Sequence, residues 1–390
     1  MSEENLNTEN NDDQIKAIYG ETDISMPDLM MPDEPENVEQ IENEMKTIED
    51  NFKASFNFSF IGAGQGGSRL AEAFHRLGYQ RVAAVNTAEQ DLNTLKIENK
   101  LCIGDGGAGK EPELAKQAIE SKSEDVLDFM RYSFGQSFDK IFVCAGAGGG
   151  SGSGMVIPLV NISREVQKLH KTTDESVGVI LTLPKKTEGK KVNQNAYNVL
   201  KTVFPLVAKK IVSPLIILDN DKVSQMYPNV AVSKFFDVAN SSLTGLFHLF
   251  NITSAKDSSY SSFDKNDYRS ILNSGMMLFG ASPVKNFKDP VEISRVVRGN
   301  LKNNLLCGGI DVTTGSTAGV ILVGSPDILD SLPQSFIDES MDQINRTLQP
   351  GSVVHGGVYS GDKPNLNIFS VVGGLAEPVK RLEELLKASR

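Results

Sequence analysis

The chain has 390 residues, long enough for two folded domains, and a formal net charge of −11. Its 39% hydrophobic and 23% charged residues are ordinary for a soluble protein. No stretch approaches the roughly 20 apolar residues that span a bilayer, and the acidic start lacks the apolar segment of a secretory signal, so we expect no membrane insertion. The three cysteines, Cys102, Cys144 and Cys307, contain no CxxC pair. This pattern argues against a disulfide framework or a cysteine-rich zinc site and suits a reducing cytoplasm.

The negative charge is concentrated at the start of the chain. Residues 1–54 carry 16 acids and 3 bases, a net of −13, so residues 55–390 carry 34 acids and 36 bases, a net of +2. High charge and few large apolar residues predict a disordered tail. The alternative is a peptide that folds on a partner, through an apolar patch at 24–31 and a short helix at 38–52. An adaptor protein is therefore a candidate partner of the tail.

Strands alternate with helices from residue 55 to about 230. Such alternation predicts a Rossmann-like parallel α/β sheet covered by helices on both faces. The predicted strands are 56–61, 81–85, 140–145, 177–183 and 215–218, and the predicted helices are 68–77 and 156–169.

The pattern changes after residue 230. A long central helix is predicted at 231–250, followed by a Ser-rich loop at 252–262, and residues 271–375 then suggest a smaller α+β domain. Its predicted strands are 275–280, 318–323, 353–359 and 366–372, and its predicted helices are 291–305 and 334–348. The domains are therefore expected at 55–230 and 271–375, joined by 231–270, with a short C-terminal tail of helical character at 376–390.

A first glycine loop, Gly62 to Gly67, lies between a strand and a helix and satisfies G-x-G-x-x-G. A dinucleotide site must therefore be considered. Such a site needs an acid at the end of the next strand to hold the ribose, but that strand ends in Val85-Asn86-Thr87. A tight turn with close helix–strand packing is the other interpretation of this loop.

Two further glycine loops follow strands and open helices, at 104–113 and 146–154. Glycines let backbone N–H groups approach a phosphate, and a helix N-terminus adds positive potential. Ser151 and Ser153 supply hydroxyl donors. No Gly-Lys-Ser/Thr is present, which excludes a Walker P-loop, and no Gly-x-Ser-x-Gly with a plausible His partner supports a serine hydrolase. Three such loops at neighbouring strand ends predict one polyphosphate site.

These loops resemble the nucleotide loops of the tubulin/FtsZ superfamily of GTP-binding filament proteins. Residues 146–154 are similar to its GGGTGTG signature, with serines for threonines, and 64–67 resemble its first loop, with Gln65 typical of tubulin or TubZ. Further similarities lie at Asn86-Thr87-Ala88 (the Asn-Thr-Asp loop without its aspartate), 107–113 (the third loop), 183–191 (the ribose loop, with its glutamate at Glu188), Asn220 and Asn240 (guanine recognition), and 262–267 (the catalytic Asn-x-Asp-x-x-Asp loop with serine first).

The chain also departs from FtsZ around the base. Arg69 stands where FtsZ has a guanine-side asparagine, Val192 where it has an arginine, and Ser241 where it has an aspartate. Residues 376–390 are expected to form a short helical end, without the long linker and adaptor-binding tail of division FtsZ. Cell division, DNA or plasmid segregation and phage positioning therefore remain alternative roles, in a bacterial or phage-infected host cytoplasm.

The resemblance implies a GTPase that uses GTP/GDP and Mg²⁺ and polymerises head to tail with itself, with no direct nucleic-acid partner. It implies that Asp264 and Asp267 act on the nucleotide of the neighbouring subunit, and no residue is assigned as a metal ligand. The alternatives are an NAD(P)-dependent oxidoreductase and a non-hydrolysing structural relative. The expected nucleotide-binding residues are Gly64, Gln65, Gly66, Gly67, Arg69, Asn86, Ala108, Gly109, Gly148, Gly149, Gly150, Ser151, Gly152, Ser153, Glu188, Asn220 and Asn240.

Overall fold

A computed structural model describes residues 53–258, 260–286, 289–302, 308–361 and 364–390. The predicted acidic tail, with its apolar patch and short helix, lies outside these residues except for Lys53 and Ala54, and Cys307 lies outside them as well. The strands are β1 Phe58–Ala63, β2 Val82–Asn86, β3 Asn99–Cys102, β4 Lys140–Gly146, β5 Val177–Leu183, β6 Val212–Asp219, β7 Met276–Val284, β8 Thr317–Gly324, β9 Val353–Ser360 and β10 Leu366–Leu375.

Helices cover this sheet. In the first half they are α1 Gly64–His75, α2 Glu89–Asn93, α3 Pro112–Ser121, α4 Ser123–Phe134, α5 Ser151–Leu169, α6 Lys190–Ala208 and α7 Asn220–Met226. The remainder are α8 Phe235–Thr253, α9 Lys265–Leu272, α10 Pro290–Lys302, α11 Pro326–Ser331, α12 Gln334–Thr347 and α13 Val379–Ala388. None of the helices in the described ranges is long and apolar enough to cross a membrane.

The described strands form one sheet in the order β3-β2-β1-β4-β5-β6-β7-β10-β8-β9. Strands β1 to β6 are mutually parallel, and β6 also runs parallel to β7, whereas β10 is antiparallel to both β7 and β8. Strand β5 is apolar at nearly every position and almost wholly buried, as expected of a parallel strand covered on both faces. The predicted mixed α/β class with a mostly parallel sheet is confirmed.

The central helix α8 carries the core from the first half to the second. Its Phe247 ring lies 5.2 Å from the ring of Phe58 and 5.1 Å from that of Phe142, both edge-on, an arrangement favoured by the ring quadrupoles. One turn on, the Asn251 side chain accepts from Phe56 N at 2.9 Å and donates to Phe56 O at 2.9 Å. This pair of hydrogen bonds fixes the start of β1 against the helix.

The two halves meet at a short seam. Strands β6 and β7 pair only through Leu215 with Met276 and Ile216 with Met277. The sheet is therefore continuous across the predicted limit at 270/271. At the C-terminus, the predicted helical tail is helix α13, which packs on α6 and buries Arg381 and Leu385. It is an integral part of the fold.

Candidate functional site

A cleft of about 450 Å³ lies at the carboxyl edge of the parallel strands, where β1, β4, β5 and β6 end. Strand order reverses between β1 and β4, and open α/β sheets bind ligands at such a point. Nine residues predicted from the sequence line it: Gln65, Gly66, Gly148, Gly149, Gly150, Ser151, Gly152, Glu188 and Asn220. Eight predicted residues do not: Gly64, Gly67, Arg69, Asn86, Ala108, Gly109, Ser153 and Asn240.

The second glycine loop forms the floor of the cleft and leads into α5. A Cβ atom on Gly149 would meet no atom within 4 Å, so this glycine faces open space in the cleft. Gly150 differs, because its Cβ would lie 2.9 Å from the backbone nitrogens of Lys110 and Glu111. The buried Ser153 hydroxyl bonds the carbonyl oxygen of Gly149 within the helix turn. The loop thus combines an open position at Gly149 with close packing at Gly150.

The first glycine loop contributes in two ways. Helix α1 begins at Gly64, whose φ of +64° is a left-handed conformation that favours glycine. A side chain on Gly67 would overlap the Cys144 carbonyl, so this glycine allows α1 to pack on β4. Gln65 and Gly66 face the cleft. Arg69 is half-buried one turn further along the helix and does not reach the cleft lining.

Two carboxylates line the cleft, and both accept internal hydrogen bonds. Asp91, which no sequence motif indicated, accepts from Gln65 Nε2 at 3.2 Å and from Asn86 Nδ2 at 3.0 Å. Asn86 therefore lies behind Asp91 and orients it. Glu188 accepts from the backbone N–H of Lys185 at 2.7 Å. These bonds fix the positions of both acids before any ligand arrives.

The third glycine loop is tied to the second by a buried side chain. The Asn195 side-chain nitrogen lies 3.1 Å from Lys110 O, 3.2 Å from Gly148 O and 3.4 Å from Gly149 O. Lys110 lines the cleft, whereas Ala108 is buried behind it and Gly109 is exposed. Asn195 comes from α6, far along the chain from either loop, so spacing within a motif could not reveal it.

The far end of the cleft is formed by Asn220, the first residue of α7, and by Phe236 on α8. The Phe236 ring is 49% exposed, unusual for a phenyl group, and it faces the cleft. An exposed ring at a polar site can stack on a base. Asn240 is buried one helical turn beyond Phe236 and is not part of the lining. The apolar period of α8 could have drawn attention to Phe236.

The predicted catalytic acids lie at the opposite edge of the sheet. Asp264 caps α9 by accepting from the N–H groups of Asn266 and Asp267, and Asp267 accepts in return from Asp264 N at 3.0 Å. Next to them, Lys265 Nζ lies 3.9 Å from an oxygen of Asp139, the residue that precedes β4. The start of α9 is therefore at the amino edge of the parallel strands, away from the cleft.

Asp267 has a second partner that the sequence did not indicate. His355 on β9 places Nδ1 at 2.7 Å from Asp267 Oδ1, and its Nε2 lies 3.3 Å from Ser270 Oγ. The Asp267 carboxylate is thus held from two sides, by the backbone of Asp264 and by the His355 ring.

The amino-acid sequence of the chain is similar to those of known proteins. The model of the Tubulin/FtsZ family GTPase domain matches residues 57–228. Cell division protein FtsZ 1 of Pyrococcus furiosus is 25% identical over 358 residues, which cover 89% of this chain and 86% of that protein.

Two solved structures share the fold. A GTPγS-form protofilament of TubZ from Bacillus thuringiensis serovar israelensis superposes with a TM-score of 0.77 at 18% identity, covering 89% of this chain and 95% of that one. The GTPγS-bound protofilament of CetZ2 from Haloferax volcanii superposes with a TM-score of 0.70 at 23% identity, covering 85% and 97%.

Proposed function

We propose that this chain, whose residues 57–228 match the Tubulin/FtsZ family GTPase domain, assembles head to tail and hydrolyses GTP at the subunit interface. GTP binds in the cleft with its phosphates at the second glycine loop. Asp264 and Asp267 of the next subunit then orient the attacking water. The proposal is carried by the location of the cleft and of the two acids at opposite edges of one sheet.

Opposite edges matter because a subunit cannot bring its own acids to its own nucleotide. When the carboxyl edge of one subunit stacks on the amino edge of the next, the acids of one subunit meet the nucleotide of the other. Such a contact is heterologous and does not close, so repetition builds a filament. Hydrolysis then depends on assembly. Loss of the γ-phosphate in turn weakens the subunit interface at which hydrolysis takes place.

The phosphate end supplies electrostatic stabilisation from fixed dipoles. The first N–H groups of a helix such as α5 have no acceptor within the helix and can bind an anion, and the dipole of this 19-residue helix favours negative charge at its start. Lys110 brings a positive charge to the same cleft. These groups are in place before the reaction, which is the condition under which such stabilisation lowers a barrier.

The cleft also offers oxygen ligands that suit Mg²⁺. Within the described ranges, no cluster of three or more His, Cys, Asp and Glu side chains could hold a metal ion. The Asp91 carboxylate, the Gln65 amide and the Ser151 hydroxyl nevertheless line the cleft, and Mg²⁺ commonly binds through one or two carboxylates together with substrate phosphates. When bound there, the ion would neutralise charge on the phosphates.

Recognition of the base falls to the far end of the cleft. Asn220 carries both an amide donor and a carbonyl acceptor, which suits the edge of guanine, and the Phe236 ring can stack on its face. We expect wild type to bind GTP more tightly than ATP, and Asn220→Ala to lose that preference. Equal hydrolysis of both nucleotides by wild type would contradict this assignment.

The interface mechanism is tested by GTPase activity per subunit as a function of protein concentration. The GTPase activity per subunit of the wild type should rise steeply above a critical concentration. The Asp264→Asn variant should bind GTP normally but form persistent filaments with slow turnover. Asparagine is the sharper replacement because it still caps α9, so the variant tests charge without removing the cap. A flat wild-type curve, or normal turnover in Asp264→Asn, would exclude hydrolysis in trans.

We further propose that the filament acts in the cytoplasm in division, DNA or plasmid segregation, or phage positioning, with the acidic residues 1–54 presented to an adaptor. The support for the last point is charge, since the tail carries −13 and the remainder +2. Deleting 1–54 should leave hydrolysis and polymerisation intact and promote lateral bundling at low salt, because like-charge repulsion between filaments is lost. Light scattering and electron microscopy would measure polymerisation and bundling, and phosphate release would measure hydrolysis.

A further inference from the structure

The C-terminal helix α13 buries a complete guanidinium group beneath the nucleotide cleft. Arg381 is 1% exposed, and its Nε and one terminal nitrogen bind Asp219 at 2.8 and 3.0 Å in a two-pronged pair. A two-pronged pair between a planar guanidinium and a carboxylate restricts their relative orientation. The position of α13 is therefore defined by where β6 ends.

The groups that Arg381 contacts belong to residues that line the cleft or adjoin its lining. The terminal nitrogen that binds Asp219 also donates to Pro184 O at 2.8 Å and lies 3.3 Å from Asp221 Oδ2. Pro184 lines the cleft, and Asn220, which lies between the two aspartates, lines it as well. One buried side chain thus holds two separate wall segments in fixed relation.

Asp219 and Asp221 extend the same network. Asp219 caps α7 by accepting from Asp221 N at 3.1 Å, and Asp221 accepts from Lys186 N at 3.1 Å. On the surface, Lys186 Nζ lies 2.9 Å from Glu384 of α13. The loop that carries Glu188 is thereby connected to the helix both from below and from outside.

We propose that Arg381 is a positioning residue for nucleotide binding, and that docking of α13 and occupancy of the cleft are thermodynamically coupled. The inference rests on the proposed nucleotide site. If α13 leaves its groove, Asn220 and the Pro184–Glu188 segment lose the group that holds them in register. Nucleotide binding must then stabilise the docked helix by the same factor by which docking improves affinity.

The first test compares Arg381→Met with Lys387→Met, a control on the exposed side of the same helix. We expect the affinity for GDP, measured by calorimetry, to fall about 5- to 150-fold in Arg381→Met, the usual range for coupled sites, and to stay at the wild-type value in Lys387→Met. A folded Arg381→Met protein with wild-type GDP affinity would overturn the inference.

The second test needs no substitution, so it decides the matter even if Arg381→Met fails to fold. Hydrogen exchange is measured on the full-length wild type with and without GDP. We expect GDP to slow exchange in α13 while leaving α12, which packs on β9 away from the cleft, unchanged. Equal exchange in α13 under both conditions overturns the coupling even though GDP binds. Absence of GDP binding to wild type would instead refute the proposed nucleotide site.

Discussion

The floor of the cleft at the carboxyl edge, where we propose that nucleotide binds, is built from glycine backbone, whereas the acid loop at the amino edge is built from side chains already engaged with one another. In the cleft, a Cβ atom on Gly149 would extend into open space, with no protein atom within 4 Å. At the other edge, Asp264 and Asp267 form a reciprocal capping pair supported by His355. The cleft is therefore sensitive to added volume, and the acid loop is sensitive to the loss of a single polar group.

This contrast predicts that the largest effect comes from adding a side chain in the cleft. Gly149→Val should lower the affinity for GTP and GDP at least about 100-fold, about 2.8 kcal/mol, because the new methyl groups occupy the space of a phosphate. We expect the fold to be retained, since no protein atom lies within 4 Å of the added Cβ. Calorimetric titration measures the loss, and Gly299→Val, whose Cβ also meets nothing within 4 Å, is the control. Wild-type affinity in Gly149→Val would remove the loop from the site.

An intermediate effect is expected where the cleft does depend on a side chain. Asn195→Leu leaves the carbonyls of Lys110 and Gly148 without their donor. A buried group left unsatisfied costs about 1–3 kcal/mol, and we expect nucleotide affinity to fall about tenfold as the two loops separate. Asn198→Leu, on the exposed side of the same helix, should bind normally. Identical affinities in the two variants would show that the loops hold their positions without Asn195.

The smallest effect is expected at the amino edge. His355→Gln removes the ring from Asp267 but keeps the capping pair, so turnover in filaments should fall about fivefold, the value of one hydrogen bond of about 1 kcal/mol. Affinity for GTP should not change, because the ring is remote from the cleft. Ser270→Ala, which removes only the contact to Nε2, is the milder companion. Steady-state hydrolysis above the critical concentration distinguishes them, and a change in GTP affinity would contradict the separation of the two edges.

The sequence was most informative where function depends on local chain geometry. Loops of glycine between a strand and a helix predicted the floor of the cleft, and Asn220 and Glu188 followed from the family resemblance and line it. The predicted ends of helices were less accurate than the predicted loops, because a glycine-rich turn can be as short as one residue. Helix α1 begins at Gly64 instead of Ser68, and α8 continues through Thr253 into the predicted Ser-rich loop.

The residues that the sequence did not reveal are those that act across long separations. Arg381 lies 162 positions from Asp219, and His355 is on a strand distant in sequence from Asp267. Neither Arg381 nor His355 is part of a local sequence motif within one helix, strand or loop. Strand β3 was missed for a different reason, since its four residues, Asn-Lys-Leu-Cys, carry two polar side chains at an edge of the sheet. Arg381 and His355 are identified by their partners in space and not by residue type.

The two-pair seam between β6 and β7 has a mechanical consequence. In a head-to-tail polymer, tension or bending passes through every subunit in series, and strain concentrates where a continuous sheet has its fewest cross-links. Here that place is the seam. Helix α8 lies across the seam and contacts α1 on one side and β7 on the other. The elastic stiffness of a filament would then be governed by the packing of one helix, and loosening the Phe247 contacts should make the polymer more flexible without altering its nucleotide site.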